Sequence, residues 1–342
     1  MARVVSERVA VVVTSISRPN ETLATIARGC ATAQWDFCLV GDTKSPSGFS
    51  LPNCRFFDMR AQLEMGFQFA AACPISHYAR KNIGYLIAIR DGASIIVETD
   101  DDNIPAKDFW SLRPRIIEAP HITEAGWTNV YRYFTDTLVW PRGFPLNMIN
   151  DDPPVFDAIP LQQVDCPIQQ GLADDNPDVD AIYRLLFPES LSFRRDRRVA
   201  LGKGTWCPFN SQNTTWRHEA FPLLYLPAYC SFRMTDIWRS FVAERIAWEN
   251  RWSVLFHEAT VRQERNAHDL MRDFADEIPG YLNNRRIGEN LSRLVLTPGA
   301  ESIADNMRVC YRELIGMGII GENEMSLLEA WFVDLSAVNA LA

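Results

Sequence analysis

The sequence is short of basic charge and of long apolar runs, and each shortage closes off a class of function. Lys and Arg number 34 against 43 Asp and Glu, a net charge of −9. A nucleic-acid partner is therefore not expected, because binding a phosphate backbone needs a basic surface. No apolar stretch is long enough for a membrane span. No basic-then-apolar leader precedes the first strand-like run, so no secretory signal is expected. Eight cysteines contain no Cys-x-x-Cys pair, which argues against a zinc knuckle. They read instead as buried thiols of a reducing compartment, and the expected location is cytoplasmic. Gly202-Lys203-Gly204-Thr205 lacks the spacing of a P-loop. What remains is an ordinary globular composition. At 342 residues, 47% hydrophobic and 23% charged, the chain has room for one large α/β domain with an appendage, or for two modest domains.

The most informative stretch is Ala93-Ser94-Ile95-Ile96-Val97-Glu98-Thr99-Asp100-Asp101-Asp102-Asn103. An apolar strand-like run ends in three consecutive carboxylates. Open α/β sheets bind ligands at the carboxyl ends of their strands. Adjacent carboxylates repel one another unless solvent or a cation intervenes. In extended chain Asp100 and Asp102 share a side and Asp101 takes the other. Two carboxylates aimed at one point suit Mg²⁺ or Mn²⁺, which keep positions open for phosphate oxygens. Asp100 and Asp102 are thus the candidate metal ligands of a metal–diphosphate site, and Asp101 joins the nucleotide-binding set. An acidic turn capping the next helix is the competing account.

Around this stretch the chain alternates strand and helix patterns. Val9–Ser15 is a β-branched run of the kind buried on both faces of a parallel sheet. Ser17–Glu21 reads as turn and cap before a helix, and the hydroxyls from Thr14 to Ser17 serve either a nucleotide or that cap. Phe37–Lys44 and Arg55–Asp58 read as two further strands, so the first hundred residues resolve into a parallel, doubly wound half. The segment from His77 to Gly92 reads as one helix closed by a glycine. Arg80, Lys81 and Asn82 fall in its first turn, where cations oppose the helix dipole. A bound diphosphate accounts for Arg80 and Lys81 there. The breaker-rich stretch Val139–Pro145 predicts no regular structure, and Trp127 and Trp140 are candidates for stacking on sugar rings. Asp178 and Asp180 flank a helix start, with Asp178 the expected N-cap. Asn210-Ser211-Gln212-Asn213-Thr214 is a polar cluster suited to sugar hydroxyls or to a satisfied turn. From Asp269 onward a helical stripe begins at Leu270, Phe274 and Ile278.

The series Arg80-Lys81-Asn82-Ile83-Gly84-Tyr85, Gly92-Ala93, and Glu98-Thr99-Asp100-Asp101-Asp102-Asn103 resembles nucleotide-sugar glycosyltransferases of the GT-A fold. More narrowly it resembles the STELLO-like glycosyltransferases. Gly41–Pro46, Phe209–Thr214, Phe232–Arg239 and Gln263–Asp269 extend the likeness in order over roughly residues 9–280. The plant members of that family are Golgi proteins associated with cellulose synthesis. They carry a membrane anchor that has no counterpart run here, so neither their location nor their partners are carried over.

The resemblance implies a Rossmann-like α/β fold of the GT-A type: a mostly parallel central sheet flanked by helices over residues 1–268, and a C-terminal helical region over 269–342. That region packs on the main domain or forms a homo-oligomer contact. The activity implied is metal-dependent transfer from a nucleoside-diphosphate sugar, a UDP-sugar first among them, to a glycan or small-molecule hydroxyl. In that scheme Asp42 reads the base and Thr14 lines the nucleoside pocket. Arg265 and His268 close the metal–diphosphate site, with His268 on the metal. Asp236, before a Trp-containing helix, is the general base, and Asp180 is an acceptor-side catalytic candidate. Three other readings stay open: a UDP-sugar mutase like the reversibly glycosylated polypeptides, a nucleotidyltransferase, and a non-catalytic sensor.

Overall fold

In the computed structural model, which describes residues 7–264 and 269–339, the first strand is the β-branched run itself. β1 (Val9–Thr14) is buried almost throughout. Asn20 then caps α1 (Glu21–Ala33), its side chain accepting from the Leu23 amide, and Gln34 ends the helix in the left-handed region at φ 58°. β2 (Asp36–Val40) and β3 (Arg55–Phe57) follow, with the short α2 (Met59–Glu64) and α3 (Gln68–Ala72) after them. α4 (Lys81–Arg90) is buried over nearly all its length. It lies close against the sheet because Gly84 has no side chain; a Cβ there would stand 2.6 Å from Val12 and 2.8 Å from Val40. Gly92, at φ 89°, reverses the chain into β4 (Ile95–Thr99), which is wholly buried and delivers the three aspartates.

β5 (Asn103–Pro105), β6 (Ile116–Ile122), β7 (Gly126–Trp127), β8 (Leu161–Asp165) and β9 (Ile168–Asp174) come next, then the short α5 (Ala181–Leu186). They are followed by β10 (Arg198–Leu201), β11 (Thr205–Trp206), β12 (Asn213–Arg217), α6 (Thr235–Glu249) and β13 (Val254–Gln263). The chain closes with α7 (Leu270–Arg293), α8 (Ile303–Gly316) and α9 (Glu324–Asn339). Eleven strands form one sheet in the order β3-β2-β1-β4-β12-β9-β13-β10-β6-β8, with β5 also on β13, while β7 and β11 pair separately. β1–β4, β8, β9 and β13 run one way; β5, β6, β10 and β12 run the other. The protein is thus mixed α/β, with a large sheet of mostly one direction flanked by helices.

One apolar core lies under α4 and α6 and continues into α7, α8 and α9 through Ile287, Leu291, Tyr311, Leu314 and Trp331. The last helices therefore pack on the sheet domain as part of its core. Their polar groups are tied in too: Asp334 accepts from the Gln68 and Phe69 amides, and Glu324 accepts from the Tyr229 amide at 2.7 Å. The stripe on α7 differs from the expected one. Ile278 is exposed, whereas Glu277, Asn284, Ile287 and Leu291 are buried. Polar partners from distant segments, rather than hydrophobicity alone, choose that face.

Candidate functional site

The strand order reverses at β1, whose neighbours are β2 on one side and β4 on the other. A crevice opens at the carboxyl ends of these strands, as such switch points require. It holds a cleft of about 500 Å³ lined by Thr14, Asp42, Arg80, Asp100, Asp101, Asp102, Ser211, Gln212, Gln263 and Asp236, among others. That volume is in the range of small-molecule sites. Thr14, Asp42, Arg80, Asp100, Asp101, Asp102 and Asp236, all expected from sequence, therefore meet in one place, although they come from segments up to about 220 positions apart.

At one end, Asp42 accepts from the Thr43, Ser76 and His77 amides at 2.6, 2.8 and 3.0 Å, so it also fixes the loop that walls the cleft. The carboxylate turn is held on both sides. Asp101 accepts from the Ser15 hydroxyl, and its carbonyl accepts from Asn20 at 3.0 Å. Asp102 accepts from Gln263 at the end of β13, 3.2 Å away. The Oδ1 of Asp100 accepts from the Tyr78 hydroxyl at 2.9 Å and from Lys81 at 3.2 Å, while its Oδ2 accepts from no protein donor among the described residues. Burial pushes the Asp100 carboxyl upward, with Lys81 and Tyr78 opposing the shift. Hard carboxylate oxygens of Asp100 and Asp102 facing one cleft are a donor set that fits a divalent cation. Among the described residues no three His, Cys, Asp or Glu side chains converge into a closed metal site.

The two cations of the first turn of α4 have different placements. Lys81 is fully buried and does not line the cleft. Its ammonium donates to Tyr78, to the carbonyls of Thr99 and Ser211, and to Asp100, all within 3.2 Å. With its donors taken by protein, Lys81 holds the carboxylate turn from behind the cleft wall. Arg80 is also buried, with Nε on Gln62 at 2.8 Å and Nη1 on the Cys73 carbonyl at 3.1 Å. Its Nη2 has no partner among the described residues, and Arg80 lines the cleft. A buried guanidinium donor left unpaired in a cleft wall is costly unless a ligand takes it.

Asp236 lies in the first turn of α6, where Thr235 begins the helix and Met234 is the cap, so it is not an N-cap residue. It accepts from the Ser211 amide and hydroxyl at 3.2 and 3.1 Å and from Arg142 at 3.0 Å. Burial pushes this carboxyl up, but the Arg142 and Arg239 charges prevail and hold it below the usual carboxylate range. Asp178 also lines the cleft and takes both ends of the Arg142 fork. Asp180 does not line the cleft. It is the residue that caps α5, accepting from the Tyr183 amide at 2.8 Å and from Trp140 at 2.6 Å. Burial raises its pKa to about 6. Its part is structural, because a fully buried carboxylate committed to a cap and an indole has no route to substrate. The cap expected at Asp178 therefore falls two residues later.

Trp127 and Trp140 are not in the cleft wall either. Trp140 is buried against Tyr183, and Trp127 packs on Trp206, Phe144 and Phe241. In the amide cluster only Ser211 and Gln212 reach the cleft; Asn213 and Thr214 are satisfied by Leu172, Thr260, Gln170 and Asn210. Arg265 and His268 lie outside the described residues. The cleft contains residues that sequence reasoning missed: Arg142, Arg233, Tyr78 and the exposed ring of Phe232. Arg142 sits in a breaker-rich loop with no periodic signal. Tyr78 had one available cue, its place just before the basic turn of α4.

Comparison with known proteins gives a partial match to one family. The profile for STELLO glycosyltransferases matches residues 233–340. The chain is 28% identical to the Arabidopsis thaliana protein named "Probable glycosyltransferase STELLO1", over 96% of this chain and 44% of that protein. It is 28% identical to "Probable glycosyltransferase STELLO2" of the same plant, over 81% of this chain and 38% of that one. The chain thus spans less than half the length of these curated relatives. Two solved structures overlap it in part. One, a mycobacterial protein, has a TM-score of 0.40 at 10% identity, covering 82% of this chain and 76% of its own. The other, M. tuberculosis glucosyl-3-phosphoglycerate synthase, has a TM-score of 0.38 at 11% identity, covering 82% and 81%.

Proposed function

We propose that this STELLO-like chain is a metal-dependent glycosyltransferase of the GT-A type that takes a sugar from a nucleoside-diphosphate donor, most readily a UDP-sugar, to a hydroxyl acceptor. The observation that carries the reading is the single cleft at the sheet's switch point. It brings the carboxylate turn, a buried arginine with one N–H group left unpaired among the described residues, and an ionised aspartate together. The nucleoside would lie at the Thr14 and Asp42 end, and Arg80 would donate its unpaired N–H to the donor. Asp100 and Asp102 would hold Mn²⁺ or Mg²⁺ by their carboxylate oxygens. A cation held there would supply positive charge against the departing diphosphate.

Asp236, across the cleft, is ionised at neutral pH and would accept the proton of the attacking hydroxyl. The acceptor is a glycan or a small molecule bearing that hydroxyl. No helix among the described residues is long and apolar enough to cross a membrane. Cytoplasmic residence belongs to the same proposal, and its support is the set of eight free cysteines.

The test is Asp236→Asn, which keeps the shape and removes the base. UDP release from UDP-sugars, to water or to acceptor, should fall by a factor of about 100 or more while UDP affinity stays within about threefold. Wild-type turnover in Asp236→Asn would remove Asp236 from the chemistry.

A further inference from the structure

We propose that Arg142 is the positioning residue for Asp236, a single side chain that fixes both the orientation and the charge of that carboxylate by gripping Asp178 with the rest of its fork. The inference rests on the reading of Asp236 as the base.

The geometry carries it in three independent ways. First, the fork is immobilised. Arg142 Nε and Nη2 reach the two oxygens of Asp178 at 2.8 and 2.9 Å, and the Arg142 amide donates to the Asp178 carbonyl at 2.9 Å. Backbone and side chain are thus pinned to the same residue, so the guanidinium plane has no freedom left. Second, the same Nη2 meets both oxygens of Asp236, at 3.1 and 3.0 Å. Nη1 donates to the carbonyl of Arg233, in the turn that leads into α6. Arg142 therefore touches the start of α6 at two points from a loop about 90 residues earlier in the chain. Third, the loop is shaped for that approach. Gly143 has φ 90°, and a Cβ there would stand 2.4 Å from Cγ2 of Ile237, the residue next to Asp236. Only glycine lets the loop come so near.

Stability alone does not call for this arrangement. Buried ion pairs are often no better for stability than apolar packing of similar volume. This one also lines the cleft rather than filling the core. The planar bidentate fork instead fixes the guanidinium on Asp178 in angle as well as distance, and so sets where its Nη2 meets Asp236.

The groups facing Asp236 are few. Arg142 comes from the loop, Arg239 from the next turn of α6, and the Ser211 amide and hydroxyl from the segment before β12. Tyr78 and Cys230 stand near as acids kept neutral by burial. Asp178 lies beyond Arg142 and shares its charge. A buried carboxylate with this surround stays ionised because of its arginines.

The experiment compares Arg142→Met, Arg142→Lys and Asp178→Asn with the wild-type chain. Each is read by UDP affinity, UDP-sugar turnover against pH, and ¹³C titration of carboxyl-labelled aspartate with Asp236→Asn as the assignment control. Arg142→Met should raise the Asp236 titration and move the acid limb of kcat up by about one pH unit or more. It should lower kcat by about tenfold or more while UDP affinity holds within about threefold. Arg142→Lys keeps charge and loses the fork, so kcat should fall with the acid limb in place. Asp178→Asn should do likewise.

An unchanged Asp236 titration in Arg142→Met, or full kcat in Arg142→Lys, would overturn the assignment. The carboxyl titration needs no turnover, so it judges Arg142 even where Asp236→Asn remains active. In that case the reading of the base fails separately.

Discussion

Two residues predicted from sequence as site members, Lys81 and Asp180, prove to be fully buried supports of it. Their burial has measurable consequences. Lys81 gives its ammonium to two main-chain carbonyls as well as to Asp100, which explains why a cation tolerates the unfavourable end of a helix dipole. Asp180 makes the clearer prediction. Burial lifts its pKa from 3.8 to about 6, so the folded chain binds this proton more tightly than the unfolded chain. For a raised carboxyl, the contribution to stability is complete below the unfolded value and is lost as pH rises through the folded one. The shift corresponds to about 3 kcal/mol. Asp180→Asn keeps a cap acceptor and removes the titration. The stability of wild type minus that of Asp180→Asn, from urea unfolding, should therefore drop by about that amount between about pH 4 and pH 7. A difference that is flat with pH would show that the buried carboxyl is not perturbed.

At the scale of elements, α7 shows what a hydrophobic pattern misses. Its buried face carries Glu277 and Asn284, because each answers a polar group brought from elsewhere. Glu277 accepts from the Ala181 amide and from Arg233, and Asn284 accepts from the Trp238 indole and donates to the Gly143 carbonyl. Asn284→Ala leaves the indole N–H and the loop carbonyl unpaired in the interior. It should cost about 2–4 kcal/mol by urea unfolding and loosen the loop that carries Arg142. A loss under about 0.5 kcal/mol would mean that water replaces the amide.

The elements that were legible in sequence are those whose signals are local. β1, β2 and β4 announce themselves by β-branched or apolar runs, and the helix ahead of β4 by its closing Gly92. The carboxylate turn was legible for the same reason, since a strand end followed by three aspartates needs no distant partner to be noticed. Arg142 was not, because its meaning comes from Asp178 and Asp236, 36 and 94 residues away. The Asp178 cap was misplaced by two residues, because two nearby aspartates satisfy the same local rule and only the fold chooses between them.

At the scale of the molecule, the sheet's reversal at β1 creates the crevice, and the helices after residue 269 belong to the core that supports it. α7 supplies Glu277 to Arg233, whose backbone carbonyl in turn receives Arg142. The C-terminal helices are therefore connected to the Asp236 side of the cleft, while β1, β2 and β4 build the side that carries the aspartate turn. The proposed nucleotide-sugar site at the aspartate turn is the central claim. The measurement is calorimetric titration of UDP, GDP and UMP into the full chain, with Mn²⁺ and again with chelator, repeated on Asp100→Ala and Asp102→Ala. The expected result is UDP binding that needs the cation and weakens by about tenfold or more in either variant. Absence of nucleoside-diphosphate binding in the presence of Mn²⁺ would contradict the account and return the three aspartates to an acidic turn.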